Sequence, residues 1–405
     1  MGGFVGLVCN KINIARETGA AQKKGIVFTL FCSTLSDRMK KVVIISIFLL
    51  FIVSLANATP PDVKYAGFAF SGNYKDIPVN FKYTNVFLSS TKDKDGRSIF
   101  DKEFLKFFQN NKSSINSFNL LIGQDSNTKI SMAVALTREN VSIVNIDDVY
   151  KVVVNICCNV IFLDFSDMKV VASYPLYLEY IDVKKEEPSD EYVVGLLQKL
   201  YFSDDFSILK ILKERLGNIV LKNTSRLSLK IMNVEIEDLA KDKLDIYKNN
   251  LDAYKSVTAQ KFSDLLSSKL NVAVLPYAKD YLGAKMALAF SDARTVEFTI
   301  PPSSYGIDLI LRKLTKEIYK EGVGEDAYLF GSYGTVKVYD PDLGTQYLEK
   351  KIKYGAVKNI PKLQKTINDF SVYDEMTGLL MLEGIKEFQS DKPFYKEVIE
   401  RCLNR

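Results

Sequence analysis

Residues 150 to 181, Tyr150-KVVVNICCNVIFL-Asp164-Phe165-Ser166-Asp167-MKVVASYPLYLEYI, decide the fold. The run Val152 to Leu163 is dense in β-branched residues, which argues for a strand. With the period of two that a strand imposes, one face reads Val152, Val154, Ile156, Cys158, Val160, Phe162 and the other Val153, Asn155, Cys157, Asn159, Ile161, Leu163. The first face is apolar throughout and predicts a buried layer, in which Cys158 is a small core residue. Cys157 shares its face with two asparagines and could reach Cys402 or a partner, although an unpaired strand cysteine is the simpler expectation. The acidic turn from Asp164 to Asp167 then sends the chain back as a second strand.

The same order recurs at 327 to 355, Ala327-YLFGSYGTVKVY-Asp340-Pro341-Asp342-Leu343-Gly344-TQYLEKKIKYG, with Pro and Gly placed as a tight turn requires. Each hairpin follows an opening strand, Val63 to Phe70 in the first half and Asn271 to Tyr277 in the second. Each is followed by a helical pattern. Asp190 to Leu216 is apolar at Val193, Leu196, Leu197 and Leu200 and closes on Gly217, while Val372 to Phe388 carries Met376, Leu379, Leu380, Leu382 and Ile385. Between the halves, Glu235 to Leu270 reads as a helical connector whose Lys and Asp residues form a solvated face. The expected architecture is α/β (α+β): two tandem small mixed-sheet modules flanked by helices, spanning 59–236 and 237–405, related by an internal duplication.

Ahead of them, Met39-Lys40-Lys41, the apolar run Val42 to Leu55 and Ala56-Asn57-Ala58 read as a secretory signal over 39–58, too short to span a bilayer. Residues 1–38 precede that complete signal and read as an upstream extension from a start assigned too early. The leader holds seven Lys or Arg against two acidic residues, so it carries the whole formal charge of +5. The remaining chain is balanced, which removes the electrostatic case for nucleic acid or anionic lipid. Thr59 follows the cleavage site where a lipoprotein needs cysteine. The expectation is therefore a soluble periplasmic protein, or alternatively a secreted one, with no stable membrane insertion after cleavage.

The 405 residues contain no histidine and no tryptophan, so Ser-His-Asp triads, Cys-His dyads and histidine zinc sites are excluded. The S-x-x-K spacing occurs at Ser89-Lys92, Ser166-Lys169 and Ser207-Lys210, without the companion motifs of a penicillin-recognising site. Asp93-Lys94-Asp95-Gly96 imitates a calcium loop, yet Thr91 and Lys102 stand at its two anchor positions. No catalytic, cofactor-binding or metal residue is nominated, and no cofactor is expected.

Asn271-Val-Ala-Val-Leu-Pro-Tyr277, Tyr328-Leu329-Phe330-Gly331-Ser332 and Val336-Lys337-Val338-Tyr339-Asp340 with Gly344 resemble the opening strand and final hairpin of the superfamily of the curli-secretion lipoprotein and the TolB amino-terminal domain. The resemblance implies a small mixed sheet flanked by helices and action through protein contacts in the bacterial envelope. The chain departs from that pattern at Lys279 to Tyr305, which reads as loop around Pro301-Pro302.

Two functions follow as expectations. The first is a non-catalytic scaffold or accessory factor that engages envelope proteins through sheet edges and loops. The second is a periplasmic small-ligand-binding protein or carboxylate-dependent hydrolase, with Tyr174, Tyr177 and Tyr180 lining a cleft. Two converging carboxylates of perturbed titration in a cleft would favour the second.

Overall fold

The structure is a computed structural model that describes residues 60–90, 98–123, 128–221, 227–244, 250–277, 285–291, 293–364 and 368–403. The leader at 1–58, Thr91, Lys92 and the calcium-loop imitation Asp93-Lys94-Asp95-Gly96 lie outside them. The strands are β1 (Asp62–Ser71), β2 (Asn119–Leu121), β3 (Ile130–Ile146), β4 (Val149–Asp164), β5 (Lys169–Lys184), β6 (Leu229–Ile236), β7 (Val274–Leu275), β8 (Lys285–Phe290), β9 (Thr295–Thr299), β10 (Tyr305–Lys320), β11 (Glu325–Tyr339) and β12 (Gln346–Pro361). The main helices are α1 (Lys82–Ser90), α2 (Ile99–Asn111), α3 (Asp190–Phe202), α4 (Ile208–Arg215), α5 (Leu251–Leu270) and α6 (Asp369–Ser390).

Among the described residues the strands make two mixed sheets, ordered β2-β1-β3-β4-β5-β9-β8 and β12-β11-β10-β6-β7, so the fold is α/β with two sheet modules. Both sheets share one plan. β1 lies between β2 and β3 and parallel to both, and β3, β4 and β5 run on as an antiparallel meander. β6 likewise lies between β7 and β10 and parallel to both, ahead of the meander β10, β11, β12.

The counterpart of β1 is thus β6, and residues 271–277, expected as the second opening strand, occupy the place of β2. A division at 236 leaves β6 with the first module, whereas its ladder joins it to the second sheet. β6 is short, with a register shift in its pairing with β10, so its alternation is easily missed.

β8 and β9 cross back to the first sheet. β8 pairs with the end of β1 and β9 touches β5 through the single pair Lys169↔Thr299, closing a ring of six strands. Small residues on one face, Ala69, Ala133 and Ala135, leave room inside it for Ile161, Leu163, Leu288, Phe290 and Phe298. The segment read as loop at 279–305 therefore contains a hairpin. Met286, Leu288 and Phe290 alternate inward, but over too few residues to stand out.

The opposite face of the first sheet packs on α1–α4. Its centre is aromatic: Phe68 stacks on Phe100 at 4.4 Å, with Phe104 at 5.0 Å from Phe68 and Tyr201 edge-on to Phe100 at 5.0 Å. Each such ring fully buried contributes about 1.5–3 kcal/mol. β4 presents the expected even-numbered face here, Cys158 included. The predicted helix 190–216 is two helices, because Ser207 starts α4 afresh: its hydroxyl accepts Lys210 N–H at 3.1 Å and donates to the Ser203 carbonyl. The second core lies between the second sheet and α5, α6 and the carboxy-terminal turns, and it buries Cys402.

Candidate functional site

The odd-numbered face of β4 changes character along its length. Ile161 and Leu163 fill the ring, Asn155, Cys157 and Asn159 follow, and Lys151 and Val153 border a cavity of about 450 Å³. Its other walls come from β3, from Tyr177, Glu179 and Ile181 on β5, from α5 and from the start of α6. Strand parity selects its residues: Tyr177 and Glu179 point to the cavity, whereas Tyr174 and Leu176 belong to the opposite core. Of the three tyrosines grouped from sequence, only Tyr177 reaches the cavity. Tyr174 donates to the Val220 carbonyl at 2.7 Å, and Tyr180 packs beside Phe206.

A charged cluster forms the cavity floor. The Lys261 ammonium of α5 lies 3.0 Å from Glu179 of β5 and 3.1 Å from Asp374 of α6, tying both helices to the first sheet. The Tyr177 hydroxyl is 2.6 Å from Glu179 and 2.6 Å from Asn155, and Lys261 stands 5.5 Å above its ring. Lys151 reaches the hydroxyl of Ser371, whose backbone N–H is accepted by the capping side chain of Asn368 at 3.1 Å. Around that polar end stand Val144, Val153, Ile181, Leu379 and Leu382.

Titration in the cluster follows from burial set against these partners. Burial raises both carboxyls, but for Glu179 the Lys261 ammonium and the Tyr177 hydroxyl outweigh it and hold the group below its ordinary range. For Asp374 burial prevails and, with the neighbouring Glu179 charge, leaves it raised despite Lys261. Burial weakens the Lys261 ammonium, yet Asp374 and Glu179 overcome this and keep it charged. Lys151 is shifted down by burial, only partly offset by the same two carboxylates.

The charges of the connector are thus not all a solvated face. Lys261 and Asp264 of α5 are turned inward, and Asp264 is gripped by Arg215. The contacts Lys261–Glu179 and Lys261–Asp374 span 82 and 113 residues, so no local spacing could have announced them. One signal was present: α5 carries Thr258, Gln260, Ser263, Asp264 and Ser267 among its buried positions, too polar for a helix packed only in an apolar core.

The other sequence candidates stay apart from the cavity. Ser166 lies in the turn closed by Asp164, which accepts its N–H at 2.9 Å, and Lys169 pairs with Asp167 at 3.1 Å. Ser207 caps α4, and Lys210 leans outward toward Glu214. Cys157 and Cys158 are buried free thiols, so Cys157 does not bridge to Cys402. Among the described residues no group of three or more Asp, Glu or Cys is placed to hold a metal ion, and no helix is long and apolar enough to cross a membrane.

No protein-family model and no curated protein matches the chain. Among solved structures, a minor lipoprotein from Acinetobacter baumannii aligns at 6% identity over 43% of this chain and 97% of its own, with a TM-score of 0.20. A putative neuraminyllactose-binding hemagglutinin homologue from Helicobacter pylori aligns at 10% identity over 44% and 94%, with a TM-score of 0.27. Likenesses this slight carry no argument about this chain.

Proposed function

We propose that the chain is an exported, non-catalytic binding protein of the bacterial envelope, with the cavity between the first sheet and α5 and α6 as its ligand site. The observation that carries this reading is the Lys261 clamp. Both carboxylates that could serve as acid and base are held by one ammonium, and the surrounding wall is apolar. Such a pocket suits a small amphipathic molecule, its apolar part against Leu379 and Leu382 and an anionic end at Lys151 and Ser371. An accessory role in an envelope assembly, and kinship with the TolB-like superfamily, belong to the same proposal. The open edge of β12 gives less support to docking by strand addition, because Lys350, Lys351, Lys353 and Lys358 guard it.

Native mass spectrometry of protein purified from its own cell envelope tests the reading, together with the cavity-filling variant Leu382→Trp. A bound small molecule lost from the variant supports it. Recovery without ligand, with in-cell crosslinks from Ile181 only to other proteins, would return the choice to a scaffold. Glu179 and Asp374 shifted in opposite directions favour a hydrolase as the second reading. Turnover of a hydrolysable ligand, abolished in Asp374→Asn, would establish that instead.

A further inference from the structure

The two sheets differ in what covers their second face. In the first sheet the ring hairpin, α5 and α6 cover it. In the second, the face turned away from the core carries Tyr333, 41% exposed at its centre. Across the ladder Tyr333 pairs with Lys313 of β10 on one side and Lys353 of β12 on the other, and Lys351 sits beside Thr335 in the next row. Cross-strand partners share a face, with strands about 4.8 Å apart, so the three lysines and the ring share one face of the sheet.

That ring lies flat. A Cβ on Gly331 would come within 3.1 Å of Tyr333 Cε2, and Gly355 pairs with Gly331 on the next strand. Gly331 thus forms a shallow bed under Tyr333, whose ring keeps an exposed outer face. Several lysines of these strands have acidic partners: Lys316 with Asp369, Lys337 with Glu349, Lys350 with Asp391 and Lys358 with Glu375. Among the described residues Lys313, Lys351 and Lys353 have no ion-pair partner.

We propose that this face binds an acidic polysaccharide, with one sugar ring lying on Tyr333 and the carboxylates of neighbouring units on Lys313, Lys351 and Lys353. Charge complementarity selects an anion, and like charges oppose pairing of this face with its own copy. Lysine ammoniums pair with carboxylate or phosphate alike as point charges, so it is the open ring of Tyr333, a platform for a sugar, that selects the polysaccharide. A nucleic-acid strand needs successive aromatic platforms, and on this face Tyr333 is flanked along β11 by Gly331 and Thr335. The site lies on the sheet face opposite α6, so its test is separate from that of the cavity.

The experiment is calorimetric titration of the protein with oligogalacturonate, beside neutral dextran, polyglutamate and oligothymidylate. The expected result is binding to oligogalacturonate that weakens at least tenfold in Tyr333→Ala and in Lys353→Gln, persists in Tyr333→Phe, and falls as salt rises from 0.05 to 0.5 M, with no binding to dextran. Unchanged circular dichroism of the variants accompanies it. Absence of binding, equal affinity for polyglutamate or oligothymidylate, or indifference to the Tyr333 and Lys353 substitutions would overturn the proposal.

Discussion

Arg215, in the last turn of α4, holds Asp264 of α5 through two hydrogen bonds of 2.5 and 3.2 Å, and Asp264 in turn accepts the backbone N–H of Tyr177 at 2.9 Å. One buried carboxylate therefore joins the helical layer of the first half, a helix of the second half and the strand between them. Removing one member of such a pair leaves its partner uncompensated, at a cost of about 3–5 kcal/mol. Asp264→Ala should lower the unfolding free energy by that amount and bring the urea midpoint down with it. An unchanged midpoint would show that the pair does not join these layers.

Glu139 of β3 caps the start of α1, accepting Tyr83 N–H and Thr84 N–H at 3.0 Å each and the Thr84 hydroxyl. Burial raises its carboxyl above the ordinary 4.5, against those hydrogen bonds. The folded chain therefore binds this proton more readily than the unfolded chain. The contribution of Glu139 to stability is greatest below pH 4.5 and is lost as pH rises through the raised folded value. The stability difference between the parent and Glu139→Gln should shift against the parent across that window, measured by denaturation at a series of pH values. A flat difference, or the opposite slope, contradicts the assignment.

Gly67 has φ +108° at a register shift in β1, and the Asp101 carboxylate sits 3.2 Å from where a Cβ would stand while accepting Phe68 N–H at 3.1 Å. Gly67→Ala should cost about 1–3 kcal/mol through backbone strain. A thermal melt matching the parent's would mean that the strand relaxes there.

Burial pushes the Cys157 and Cys402 thiols up to about 12 and raises Cys158 well above the ordinary thiol value. All three should resist a thiol-specific reagent at pH 8 in the native protein and react after denaturation, read by peptide mapping. Rapid native labelling of Cys157 would place it on an accessible surface.

What was legible in the sequence was local. The alternation of Val152 to Leu163 placed Cys158 in the core, and the two acidic turns located both hairpins, β4–β5 and β11–β12. The break between α3 and α4 was hidden because Leu and Ile continue on both sides of Ser203 to Ser207. The cavity was less legible, since Lys261, Glu179 and Asp374 meet only through tertiary packing. Tyr177 could have been separated from Tyr174 and Tyr180 by parity alone, because a strand turns odd and even residues to opposite sides.

The ring of the first sheet sets the timing of folding. Its closing strands, Lys285–Phe290 and Thr295–Thr299, are made more than a hundred residues after β5. A nascent chain that has delivered only β1 to β5 exposes Leu163, Ala133 and Ala135 with no lid, so maturation must wait for the later hairpin. Such long-range closure is slow. A truncation ending before residue 285 should accordingly behave as a sticky intermediate rather than as an independent half.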